Sequence, residues 1–316
     1  MNIQQLEYLV AVDDYRHFVR AAQACGITQP TLSSMIQKLE EELEVKIFDR
    51  NSHPVEPTII GMDVIRQARE ILHKVVQLKD SLMDLKKEIS GKMEIAVIPT
   101  VAPYILPGFF TLFKQAYPQV SLSVTEMKTS LIKERLKTAQ IDMAILATPL
   151  KEKGLLEIPL YYEKFLAYVS AEEKDIYAKK RLKPKELTLE HLWVLEDGHC
   201  LRGQIFNFCG RDASSKNAPS FSTHIYNASS METLIKVVDA NGGYTVIPEL
   251  HAPLLTNKQR KNIRPFILPE PVREISLVVR EDFIREGLLN AVASTVKRLI
   301  PEAMLDTHLK KFAIRL

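Results

Sequence analysis

Near the N-terminus, apolar residues recur at helical spacing in three short blocks separated by turn and cap residues. Leu6, Leu9, Val10 and Val12 form an amphipathic first block. Phe18, Val19, Ala21, Ala22 and Ala24 form a second, with small side chains where another helix can pack closely. Cys25-Gly26-Ile27 breaks the pattern, and Gly26 suits a left-handed turn. Thr28 is placed to cap a third helix, with Pro30 in the first turn, where a missing N–H costs little. From there Leu32, Ile36, Leu39 and Leu43 recur at intervals of four, three and four as a buried stripe. The pattern is helix, glycine-containing turn, helix. A plain antiparallel helix pair fits the periodicity equally well.

After Gly61, the positions Val64, Ile65, Ala68, Ile71, Leu72, Val75, Leu78, Leu82 and Leu85 predict one long helix ending near Ser90-Gly91. Its length would be roughly 40 Å. A single apolar face on such a helix either packs on its own domain or forms a dimer seam. From Lys92 the period shortens. Met93–Ile98, Leu122–Glu126, Met143–Ala147, Leu166–Val169, Tyr244–Ile247 and Ile275–Val279 read as strands, separated by helices such as Leu106–Ala116, Leu131–Thr138 and Met231–Asn241. That alternation predicts a parallel α/β architecture with ligands at the carboxyl ends of strands. Thr100 and Thr129 each follow a strand and precede a helix, positions suited to a small polar ligand, although capping alone is the simpler account. The tail Pro301–Leu316, with Phe312 and Ile314, reads as an extra helix.

Composition narrows the setting. A chain of 316 residues, 46% hydrophobic and 26% charged, has the make-up of an ordinary soluble protein with several cores. No apolar run approaches the roughly 20 residues that span a bilayer. Met1–Val12 lacks a basic region and contains Glu7, unlike a signal peptide, so the expected compartment is the cytoplasm. Net charge is only +3, and acidic side chains outnumber basic ones in residues 1–90. Phosphate binding there would need its basic residues focused on one edge, with the run Glu40-Glu41-Glu42-Leu43-Glu44 facing away.

The three cysteines carry the chemistry. Cys200 and Cys209 lie in Leu195-Glu196-Asp197-Gly198-His199-Cys200-Leu201-Arg202-Gly203-Gln204-Ile205-Phe206-Asn207-Phe208-Cys209. In a reducing compartment such a pair points to transient redox chemistry or metal ligation. His199 and Arg202 beside Cys200 would favour its thiolate. Zinc lacks a fourth ligand and the usual short spacing, and His17, His224 and His251 show no ligand pattern. Cys25, alone among the helical blocks, reads as a small buried residue.

Off the apolar stripe of the third helix stand Gln29, Thr31, Ser33, Ser34 and Gln37, short polar side chains suited to base edges and phosphates, with Lys38 and Arg50 able to hold flanking phosphates. Asn2-Ile3, Leu6-Glu7-Tyr8-Leu9, Phe18-x-x-Ala21-Ala22, Gln29-Pro30-Thr31-Leu32-Ser33, Leu39-Glu40-x-x-Leu43 and Ile47-Phe48-Asp49-Arg50 run in order through Thr58 and Gly61. This arrangement resembles the winged helix-turn-helix of LysR-type transcriptional regulators. The resemblance implies an α/β chain with an all-α N-terminal part. Its reader would span residues 1–61, its linker and dimerisation helix 62–90, and its effector domain 91–301, with a tail at 302–316. The effector domain would resemble periplasmic binding proteins, one lobe from about 92–163 and 268–300, the other from about 164–267. Gln29, Pro30, Thr31, Ser33, Ser34, Gln37, Lys38, Arg50 and His53 would face DNA. His53 and Pro54 stand where many members carry basic residues.

The stretch Leu195–Gly210 is similar to the hydrogen-peroxide-sensing branch of that family. Supporting matches are Ile98-Pro99-Thr100-Val101-x-Pro103-Tyr104, Thr129, Ser230-x-Glu232-Thr233-Leu234 and Pro269-Glu270-Pro271-x-Arg273. The resemblance implies Cys200 as peroxidatic thiol and Cys209 as resolving thiol. It implies Thr100, Thr129, His199 and Gln204 as peroxide-orienting groups, and Arg273 as favouring the thiolate. Further implications are promoter DNA, RNA polymerase, hydrogen peroxide and a thiol reductant such as glutaredoxin or thioredoxin as partners. It also implies a homodimer or homotetramer that activates transcription, with no cofactor, no metal and no turnover as an enzyme. Were residues 200–209 one regular helix, the two Cα atoms would lie roughly 13 Å apart, whereas a disulfide needs about 4.4–6.8 Å. Three other readings compete: a LysR regulator of a small metabolite, a thiol peroxidase and a solute-binding protein.

Overall fold

The computed structural model describes residues 1–85, 89–195, 200–208 and 230–312. These residues fall into two compact units, one within 1–88 together with 138–140, the other within 89–137 and 141–316.

The first unit is helical with a small wing. Helix α1 (Ile3–Tyr15) starts at Asn2, whose side chain accepts from Gln5 N while the Gln5 side chain accepts from Asn2 N. Helix α2 (Phe18–Ala24) leads through Gly26, at φ 67°, to α3 (Gln29–Glu42). The Thr28 hydroxyl accepts from Thr31 N at 3.4 Å and caps α3. Leu6, Leu9, Val12, Ala21, Ala22, Leu32, Ile36 and Leu39 are buried together, each on the stripe that its helical spacing predicts. Strands β1 (Phe48–Asp49) and β2 (Glu56–Pro57) pair antiparallel as the wing.

Helix α4 (Ile59–Leu85) starts earlier than the apolar pattern suggests. Its Gly61 lies so close to Ile47 that an added Cβ would overlap the Ile47 carbonyl. Arg69 of α4 bonds to Asp13 at 2.7 Å and Asp14 at 2.6 Å, fastening α4 to the end of α1.

The acidic run does not face away as a block. Glu40 turns inward and is 2% exposed, accepting from Ile47 N at 2.7 Å, Phe48 N at 3.2 Å and Arg50 at 3.2 Å. A buried carboxylate needs such partners, and here it joins the wing to α3.

The second unit is an α/β structure. In chain order its elements are β3 (Gly91–Val97), α5 (Ala102–Ala116), β4 (Val120–Glu126), α6 (Thr129–Lys137), β5 (Met143–Thr148) and β6 (Leu155–Val169). The one-turn helix α7 (Lys174–Tyr177), α8 (Cys200–Phe208), α9 (Met231–Asn241) and β7 (Tyr244–Pro248) come next. The one-turn helix α10 (Asn257–Arg260), β8 (Ile263–Pro265), β9 (Val272–Arg280) and α11 (Glu286–Lys297) complete it.

The sheet runs β4-β3-β5-β9-β6-β7, with β8 also on β6. Only β3–β4 and β3–β5 are parallel among these pairings; β5–β9, β6–β9, β6–β7 and β6–β8 are antiparallel. The sheet is therefore mixed, which corrects the parallel expectation: β6 and β9 cross between two lobes and meet their neighbours in reverse. One core joins Met93–Tyr161 residues to Ile275–Met304 residues, and another gathers Phe165–Phe266 residues. The crossover strands pass between these cores, so side chains at residues 163 and 273 sit at the junction. Among its described residues, the tail is not a further α-helix. It forms 3-10 turns at Glu302–Met304 and Thr307–Phe312, with Met304 packed into the first core. Among the described residues, no helix is long and apolar enough to cross a membrane.

Candidate functional site

Cys200 is the first residue of α8, and Cys209 and His199 lie outside the described residues. Helix α8 is held by its buried face, Leu201, Gln204, Ile205 and Phe206, while Arg202 lies over the Phe206 ring at 5.6 Å. Gln204 is fully buried, yet among the described residues neither its amide nitrogen nor its oxygen has a hydrogen-bond partner. The hydroxyl of Thr129, at the start of α6, is likewise buried and has no partner among the described residues. Such groups are rare in folded proteins because each forfeits its hydration. A polar ligand reaching either group would restore the hydrogen bonds it lacks. Thr129 makes no capping bond, so the capping account fails there.

Thr100 does not cap a helix either. Its hydroxyl accepts from Arg273 Nη1 at 3.0 Å, and its carbonyl accepts from Arg273 Nη2 at 2.9 Å. Arg273 on β9 is fully buried and faces Glu163 directly across the β6–β9 ladder. Its Nε donates to Glu163 Oε1 at 2.7 Å, and Glu163 is equally buried. Tyr104 of α5 completes the cluster, accepting from Arg273 Nη2 at 2.6 Å and lying 2.9 Å from Glu163 Oε1. Burial pushes the Tyr104 hydroxyl well above its ordinary pKa, so it remains a donor. His251 is also buried, and its pKa is lowered by that burial and then by the charge of Arg273. Arg273 thus has its charge matched by Glu163 and its fork fixed on Thr100. Glu163 escaped sequence reasoning because its partner lies 110 residues away; nothing local marks an acid that pairs across strands.

In the first unit, Gln29, Pro30, Thr31, Ser34, Gln37, Lys38, Arg50 and His53 are exposed, and Ser33 is half-buried. Gln29, Ser33, Arg50 and His53 line one groove of about 630 Å³ together with Arg16, His17, Phe18 and Arg20. Arg50 bonds to Ser33 Oγ at 3.1 Å and lies over the Phe18 ring at 5.4 Å, while its other nitrogen is held by Glu40. Arg16 and Arg20 were missed in the sequence, although Arg20 falls off the apolar positions of α2. Two of these basic side chains are already paired, Arg16 with Asp13 at 2.8 Å and Arg50 with Glu40 at 3.2 Å, while Asp13 and Asp14 also meet Arg69.

Residues 3–62 match the model of the bacterial regulatory helix-turn-helix protein, lysR family, and residues 86–299 match the LysR substrate binding domain. The "Hydrogen peroxide-inducible genes activator" of Haemophilus influenzae is 38% identical over 298 residues, covering 94% of this chain and 96% of the relative. The chain belongs to the LysR family, in its OxyR group. The "DNA-binding transcriptional dual regulator OxyR" of Escherichia coli is 36% identical over 98% of both chains. A full-length OxyR variant from Pseudomonas aeruginosa is 28% identical, with a TM-score of 0.78 over 94% of this chain and 98% of its own. Membership of this family makes the chain a DNA-binding transcriptional regulator and not an enzyme.

Proposed function

We propose that this regulator senses hydrogen peroxide by reversibly joining Cys200 to Cys209 and activates oxidative-stress defence genes. The observation that carries the reading is that the buried polar groups of Thr129 and Gln204 have no partner among the described residues, in a chain similar to peroxide-responsive activators. Hydrogen peroxide is small and both donates and accepts, matching a hydroxyl and an amide better than a larger or purely acidic metabolite would.

Chemically, the Cys200 thiolate attacks one peroxide oxygen, the O–O bond breaks, and hydroxide leaves to take up a proton as water. The resulting sulfenic acid is attacked by Cys209, the S–S bond forms and a second water departs. Two thiols are oxidised and one peroxide is reduced to two waters. Thr100, Thr129, His199 and Gln204 orient the peroxide, and a thiol reductant such as glutaredoxin or thioredoxin resets the pair.

Geometry then supplies a switch. Residues 200–208 form a helix, so its first and last Cα atoms lie about 12 Å apart at 1.5 Å per residue. A disulfide needs Cα atoms about 4.4–6.8 Å apart, so bonding to Cys209 requires α8 to unwind. Unwinding pulls on Leu201, Ile205 and Phe206, buried groups worth roughly 1.5–3 kcal/mol each. That energy is enough to shift a lobe or an interface between copies. Helix α4 exposes Ile71, Val76 and Leu78, apolar side chains that a second copy would cover in a homodimer or homotetramer. Gln29, Pro30, Thr31, Ser33, Ser34, Gln37, Lys38, Arg50 and His53 read promoter DNA, and RNA polymerase is recruited there.

Footprinting tests the reading. Peroxide is expected to change the parent protein's operator footprint and to leave that of Cys209→Ser unchanged. An equal change in both proteins would remove the disulfide from the account.

A further inference from the structure

Glu163 holds the key to how Thr100 acts. The Thr100 hydroxyl has one hydrogen and two lone pairs. Arg273 Nη1 donates to it at 3.0 Å, so one lone pair is occupied and the hydrogen is left to donate elsewhere. Arg273 cannot turn away. Its Nε is fixed by Glu163, its Nη2 by the Thr100 carbonyl and the Tyr104 hydroxyl, and its side chain is fully buried. Glu163 is anchored in turn by facing Arg273 in the β6–β9 register and by Leu250 N at 3.4 Å from Oε2. The chain of bonds therefore runs from the lobe junction to a hydroxyl whose hydrogen is kept off Arg273 and free to donate. A donor on a charged group also polarises the hydroxyl it reaches, strengthening its own O–H as a donor.

We propose that Glu163 is a positioning residue for peroxide reduction: through Arg273 and with Tyr104, it sets the Thr100 hydroxyl as a hydrogen-bond donor to the peroxide. This rests on the peroxide-sensing reading given above, and it assigns Arg273 an effect exerted through Thr100. The alternative, direct electrostatic help to the thiolate, predicts the opposite sign for one variant. Glu163→Gln leaves the Arg273 charge unbalanced. If that charge acted directly, the thiol would ionise more readily and react faster. If Glu163 works by positioning, the reaction slows.

The test measures the second-order rate of thiol loss with hydrogen peroxide in the full chain. The variants are Glu163→Gln, Thr100→Val and their double. Each single variant is expected to slow the reaction about tenfold, as loss of one hydrogen bond would. The double variant is expected to be no slower than either, because both act through one hydroxyl. Glu163→Asp, which keeps the charge, should recover part of the rate. The pH midpoint for iodoacetamide alkylation of Cys200 should stay where the parent has it.

A Glu163→Gln rate equal to or above the parent's, or losses that multiply in the double variant, would overturn the proposal. Should Glu163→Gln fail to fold, Tyr104→Phe takes its place in the same cycle with the same criterion. A parent protein that loses no thiols to peroxide would instead overturn the sensing reading itself, and this proposal with it.

Discussion

Gly203 offers a direct handle on the energy of the switch. It sits inside α8, between Cys200 and Phe208, and a Cβ built there meets no described atom within 4 Å. Packing therefore does not demand glycine at this position. Glycine inside a helix costs about 1 kcal/mol relative to alanine, largely through backbone entropy. Gly203→Ala should stabilise the helical, reduced form by about that amount. If the disulfide form has lost the helix, it gains nothing from the methyl group. The thiol–disulfide equilibrium should then move about fivefold toward the dithiol, and the reduction potential should become about 20 mV less negative. Equilibrating parent and variant in a series of dithiothreitol buffers, then quenching and counting thiols, measures the shift. Gly203→Asn, a weaker helix former than alanine, should shift less. An unchanged midpoint, or a shift to more negative potential, would refute the idea that oxidation unwinds α8.

Thr129→Val removes a buried hydroxyl that has no partner among the described residues. It should raise thermal stability slightly, by about 1 kcal/mol, while slowing thiol oxidation about tenfold; denaturation and stopped-flow kinetics read the two effects separately. The His251 pKa is lowered from 6.5 by burial and by Arg273. Its contribution to stability is complete above pH 6.5 and is lost as pH falls from there through the folded value, because the unfolded chain binds the proton more tightly. Urea denaturation across that range should show the loss, and His251→Gln should flatten it. Gly61→Ala drives a methyl group into the Ile47 carbonyl, so the first unit should lose about 1–3 kcal/mol and bind operator DNA more weakly.

Much of the reader was legible in the sequence because its signals are local. Gly26, Thr28 and the stripe Leu32, Ile36, Leu39 act within a few residues of where they sit. Glu40 was not legible: one acid in a run of acids reads as solvated, and only the folded wing shows the backbone donors that draw it inward. Strand direction was missed for a related reason. Hydrophobic pattern marks β9 as a strand but carries no information about which way its neighbours run. Strand β6 extends from Leu155 to Val169, yet only its last residues read as a strand, since Pro159, Glu163 and Lys164 interrupt the apolar run. At the candidate site, Thr100, Gln204 and Arg273 were named from a resemblance. What the resemblance lacked was Glu163, whose role depends on a bond across two strands.

The central claim is that one peroxide links Cys200 to Cys209. Peptide mapping by mass spectrometry after adding one equivalent of hydrogen peroxide to the reduced protein tests it most directly. Cys25 should stay reduced, because burial and then the charge of Glu7 raise its pKa and keep the thiolate scarce. The account predicts two thiols lost, one cross-linked peptide joining residues 200 and 209, and a sulfenic acid at Cys200 when Cys209 is replaced by serine. Intact thiols at both positions, alongside a transcriptional response to peroxide, would contradict it.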